Sequence, residues 1–83
     1  MMEQWSFPIY TFSEALQYLK IGRKVARQGW NGKGMWLALQ TPTEESKMTA
    51  PYIYMKCADG KLCPWLASQT DMLADDWMVV NVE

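Results

Sequence analysis

Histidine is absent from this chain, and with it the commonest general base near neutral pH and the commonest transition-metal ligand. Cysteine is scarce: Cys57 and Cys63 are the two thiols, and without histidine they form neither a zinc site nor a thiol-protease pair. No glycine run matches a P-loop or a dinucleotide fingerprint, because Gly29, Gly32 and Gly34 have the wrong spacing and follow no long strand. No apolar run is long enough to span a bilayer. Residues 1–10 lack the basic start and apolar run of a secretory signal. Internal repeats and low-complexity tracts are missing as well. The formal net charge is only −1, which argues against bulk attraction to polymeric nucleic acid or to a membrane. The sequence therefore reads as a cytosolic protein with no catalytic centre, no metal and no cofactor. The acids Asp71, Asp75 and Asp76 read as a solvated cap before a strand rather than a Mg²⁺ site.

What is present in quantity is bulky apolar volume. Five Trp, four Tyr, two Phe and seven Met occupy 83 residues, more than one small core easily hides. A homo-oligomer that buries the surplus between protomers is the economical reading. Charge is unevenly placed. Lys20, Arg23, Lys24, Arg27 and Lys33 share a segment without acids, whereas Asp71, Asp75, Asp76 and Glu83 share one without bases.

Thr11-Phe12-Ser13-Glu14 is a capping-box pattern. Phe12, Ala15, Leu16 and Leu19 then recur at helical spacing, and Gly22 is placed to end the helix. Arg23–Arg27 and Met35–Leu39 read as strands, the first with Val25 inward and the second covered on both faces. Residues 40–50 have no periodicity and read as an exposed, mobile loop. Pro51–Lys56 and Leu62–Trp65 form a hairpin around Asp59-Gly60, with Pro64 marking an edge. A two-residue turn puts Cys57 and Cys63 on opposite faces, and a three-residue loop ending on Gly60 makes them diagonal neighbours. Neither sets them directly opposite, so free thiols are expected. A short helical turn begins at Ser68 or Thr70, and Trp77–Val82 closes the chain as a strand. The fold class is α+β: a single small domain, residues 1–83, with one N-terminal helix on an antiparallel sheet of four to five short strands.

Two stretches point to binding. Arg27-Gln28-Gly29-Trp30-Asn31-Gly32-Lys33-Gly34 combines an indole, two cations, an amide and glycines free to take positive φ and to bring the backbone close to another surface. That inventory suits a ligand with a flat ring and phosphates, although a glycine-rich hairpin whose tryptophan returns to the core fits residues 27–34 alone. Trp65 precedes Ser68, Gln69, Thr70 and Asp71, whose hydroxyl, amide and carboxylate groups match ribose hydroxyls and base edges. The plainer reading makes Trp65 core and the four polar residues a cap.

Val25–Met35 and Pro64–Trp77, in that order and in a chain of this size, resemble the small phage proteins that block Thoeris defence, the second type of Thoeris anti-defence protein. The likeness also takes in the helix at Phe12–Lys20 and the strand at Pro51–Lys56. It implies a non-enzymatic sponge in the cytoplasm of the infected bacterial host, a homotetramer with recessed pockets between protomers. Those pockets hold a cyclic ADP-ribose isomer (gcADPR) made by TIR-domain enzymes, and some relatives also take cyclic dinucleotides or trinucleotides of CBASS systems. On this reading Arg27 and Lys33 face the pyrophosphate and Trp30 stacks on the base. Trp65 is partly wall and partly core, and Asn31, Ser68, Gln69, Thr70 and Asp71 supply polar contacts. An aromatic-rich protein-interaction module is the alternative, and an enzyme that hydrolyses the same signal is a third.

Overall fold

In the computed structural model, which describes residues 8–30 and 34–81, the helix α1 runs over Phe12–Lys20. Thr11 Oγ1 accepts the Glu14 amide at 3.2 Å, and Glu14 Oε1 accepts the Thr11 amide at 2.8 Å. The capping box is therefore closed in both directions. At the other end Gly22, at φ 93°, donates to the Leu19 carbonyl, and Arg23 donates back to Tyr18. This reciprocal pair is the Schellman ending, and it needs a residue that tolerates the left-handed region. Ala15 and Leu19 point inward and are buried, with Phe12 and Leu16 half-buried beside them.

Five strands follow: β1 Lys24–Arg27, β2 Trp36–Gln40, β3 Tyr52–Lys56, β4 Leu62–Pro64 and β5 Trp77–Val80. A second helix, α2, covers Gln69–Leu73 just before β5. The sheet order is β4-β3-β2-β1-β5, and every neighbouring pair is antiparallel. Pro64 ends the edge strand β4, where its missing N–H matters least. Strand bounds differ by a residue or two from the sequence reading, which was drawn from apolar runs rather than from ladder partners. Val82 and Glu83 lie outside the described residues, as do residues 1–7 of the aromatic N-terminal extension and Asn31, Gly32 and Lys33.

Register fixes which side chains share a face. Val79, Val25, Leu37, Met55 and Cys63 form one row across all five strands. The middle of that row packs under α1: Val25 and Leu37 join Ala15, Leu19 and Trp77 in a fully buried cluster. The opposite face carries Trp36, Tyr54, Lys24 and Lys56. There Lys24 Nζ lies 5.0 Å from the Trp36 ring centre, and Trp36 meets Tyr54 edge-on. Strand β2 is thus covered partly on each side, as its poor alternation implies. The loop after it contains a reciprocal turn in which the Thr43 amide donates to Ser46 Oγ and the Ser46 amide donates to the Thr43 carbonyl.

Candidate ligand-binding site

β5 lies beside β1, which joins the two sequence motifs. Arg27 stands opposite Trp77 in the ladder, so the end of the first motif meets the end of the second. The Arg27 guanidinium divides between two carboxylates: Nε donates to Asp76 Oδ1 and Nη1 to Asp71 Oδ1, each at 2.9 Å. Asp76 Oδ2 accepts the Gly29 amide at 2.9 Å, and the Asp76 carbonyl accepts the Gln28 amide at 2.9 Å. Asp71 Oδ2 in turn accepts the Ser68 hydroxyl at 2.9 Å. One polar clasp therefore runs from Ser68 through Asp71, Arg27 and Asp76 to the 3-10 turn Gln28–Trp30.

Electrostatics follow from this geometry. Bonding to Asp76 raises the Arg27 pKa against the opposing effect of burial, and Asp71 adds to the rise. Burial pushes the Asp76 carboxyl up, but Arg27 and the Gly29 amide outweigh it and hold the carboxyl below its ordinary value. One cation faces two anions here, so the clasp carries a net negative charge. That corrects the expectation for Arg27. Its charge is already balanced, and its side chain is only 18% exposed, so it is not a free guanidinium waiting for a pyrophosphate. Gly29 shows one of the two uses expected of these glycines. Its backbone does not use positive φ, but an added Cβ would lie 3.1 Å from Asp76 Oδ2, so glycine is there for close approach.

An aromatic cluster lies under the clasp. Trp77 is fully buried, and its indole N–H donates to the Asp71 carbonyl at 3.0 Å. Trp30 meets it edge-on at 5.5 Å, Trp65 does so at 6.1 Å, and Phe12 of α1 packs at 5.4 Å. Trp30 and Trp65 are both half-buried, each with one part in the core cluster and one part open. Trp65 packs on the core cluster with part of its ring open, which fits the core half of its expected role. For Trp30 the packing replaces a ring on a mobile loop with one seated on Trp77. Ser68 caps α2 by accepting the Asp71 amide, so Ser68 and Asp71 serve the helix as well as the clasp. Gln69 and Thr70 are exposed in its first turn. Asn31 and Lys33 lie outside the described residues.

The sequence reading missed Asp76 and Trp77, which organise the site. Their available signal was the contrast between the base-rich segment and the acid-rich tail, which marks two stretches suited to meet. Two shallow cavities, of about 190 and 230 Å³, lie elsewhere, and both touch Gln40 and Tyr52. Neither includes any of the candidate residues. Among the described residues no group of three or more acids and cysteines is placed to hold a metal. No helix among them is long and apolar enough to cross a membrane.

Comparison with known proteins agrees with this layout. The Thoeris anti-defense 2-like domain matches residues 10–80, which spans α1, the sheet and the clasp. The chain is also similar to the protein named Thoeris anti-defense 2 of Bacillus phage SP01. The two are 38% identical over 84 residues, covering 86% of this chain and 94% of that protein. With the match running from the strand bridge at Tyr10 to the end of β5, the chain belongs to the Thoeris anti-defense 2-like family.

Proposed function

We propose that this chain is a phage anti-defence sponge acting in the cytoplasm of the infected host. It binds a cyclic ADP-ribose isomer made by TIR-domain enzymes of Thoeris immunity and holds it without degrading it. Cyclic oligonucleotides of CBASS systems are a further ligand class in this reading. The observation that carries it is the junction of the two motifs: two half-open indoles, Trp30 and Trp65, flank a buried third beside the exposed side chains of Gln69 and Thr70. Stacking surfaces next to hydroxyl and amide groups suit a base and its ribose. Sequestration requires affinity and abundance, not a nucleophile, and a chain without histidine is suited to that task.

The site is completed by a second protomer. Leu66 is 90% exposed and Leu73 82% exposed, with Met72 also open, and all three flank the motif junction in sequence. Their exposure in the single chain supports the homotetramer that the family resemblance implies, in which they would be covered by another copy. Arg27 is balanced by Asp71 and Asp76, which leaves Lys33, known from the sequence alone, as the candidate cation for a phosphate in this reading. The decisive experiment is a titration with cyclic ADP-ribose isomers, followed by heat denaturation of the mixture and chromatography of what is released. Intact ligand after tight binding supports the sponge. Released product would make the chain an enzyme. An absence of binding, with capture of a host protein instead, would favour the protein-interaction reading.

A further inference from the structure

The β3–β4 hairpin holds a pair of thiols that the ligand reading does not use. The Cys57 amide donates to the Lys61 carbonyl at 2.8 Å, and Met55 stands opposite Cys63 in the ladder. The loop between is therefore the three-residue one, with Gly60 at φ 89° and its amide bonded to the Cys57 carbonyl. This register makes Cys57 and Cys63 diagonal neighbours on one face of the sheet. Their sulfurs are 3.3 Å apart, with the Cys57 thiol donating to Cys63 Sγ. Both cysteines are free and half-buried, and their sulfurs share the sheet face of Met55, whereas the groove of Tyr52, Tyr54, Leu62 and Pro64 opens on the other face.

We infer that Cys57 and Cys63 form a thiol–disulfide exchange site that reacts with low-molecular-weight disulfides such as glutathione disulfide and closes into an intramolecular disulfide. The Cys63 sulfur, which accepts the hydrogen bond from the Cys57 thiol, attacks one sulfur of the small disulfide as the thiolate. That step forms a mixed disulfide and expels one small thiolate. The Cys57 sulfur then loses its proton to solvent and attacks Cys63 Sγ, which expels the second small thiolate. The protein dithiol is oxidised by two electrons, and the small disulfide is reduced to two thiols. Proximity favours the second step, because the sulfurs already touch and a formed bond needs only about 1 Å of further approach. The hydrogen bond to Cys63, with burial, pushes the Cys57 thiol up, so Cys57 holds its proton while Cys63 is the free sulfur. The product links β3 to the three-residue edge strand β4, at the opposite edge of the sheet from β5 and the clasp.

The test is to incubate the native chain with glutathione disulfide, then measure free thiols, intact mass and melting temperature. Both thiols should disappear, with the mass falling by that of two hydrogens and no glutathione retained. The melting temperature should rise by about 5–15 °C, because a short loop is closed in the unfolded chain, and dithiothreitol should reverse it. Cys57→Ser should stop at a stable glutathione adduct on Cys63. Wild-type chain that keeps its thiols, or that accumulates glutathione adducts, overturns the inference, and this readout needs no variant to fold.

Discussion

Removing the Asp76 carboxylate tests the clasp most directly. Asp76→Ala deletes two charge-assisted hydrogen bonds, one from Arg27 Nε and one from the Gly29 amide. A hydrogen bond to a charged group contributes about 1.5–3 kcal/mol when water is excluded. Here the Asp76 side chain is 24% exposed, so water recovers part of each, and Arg27 keeps Asp71 as its partner. A net loss of about 2 kcal/mol follows once that solvent screening is allowed for. Against a total stability of about 4–12 kcal/mol for a chain of this length, that is a large fraction. It corresponds to a fall in melting temperature of about 8–16 °C. Asp75→Ala is the control: it makes the same change of charge at an exposed neighbour and should move stability by less than about 0.5 kcal/mol. Thermal denaturation of both variants decides the matter. Equal small shifts for the two would show that the clasp contributes nothing. So would strict additivity of Arg27→Ala and Asp76→Ala in a double-mutant cycle, since partners in one ion pair couple.

The same pair sets an acid limb. The folded pKa of Asp76 lies below its unfolded value, so its contribution is full above the unfolded carboxylate range and disappears as pH falls through the folded value. Acid titration of stability should therefore be shallower in Asp76→Asn than in wild type, and an identical acid limb in both would remove Asp76 from the account. Gly29→Ala should destabilise by about 1 kcal/mol, because the new methyl presses on an oxygen held by Arg27; a neutral or stabilising result in chemical denaturation contradicts the close approach. Trp30→Ala should reduce affinity for a cyclic ADP-ribose isomer about ten- to a hundredfold and also lower stability by about 1–2 kcal/mol, because the ring packs on Trp77. Unchanged affinity by calorimetry in a folded variant would assign Trp30 to the core alone.

What the sequence made legible is what is decided locally. Thr11 and Glu14 state the start of α1 and Gly22 its end, because each signal acts within a turn or two. The hairpin was legible down to a choice of two loops, and the backbone pairing of Cys57 with Lys61 selects the longer. The partner of Arg27 was not legible. Whether a cation beside a glycine turn faces a ligand or a carboxylate depends on residues 44 and 49 positions away, and no local pattern shows that β5 docks on β1. The acids before β5 read as a solvated cap for the same reason: Asp75 fits that description, whereas Asp76 is drawn inward by a partner from the other motif.

The position of β5 has a consequence for how the molecule comes into being. It follows the other four strands in sequence, yet it forms one whole flank of β1 and carries Trp77, the largest fully buried side chain among the described residues. A nascent chain can assemble α1 and the β2–β3–β4 meander early, but Arg27, Gly29 and Trp30 have no seat until β5 arrives. The clasp and the docking of β5 on β1 are then one event. A chain cut short before Trp77 would lose both the clasp and the surface on which Trp30 is seated.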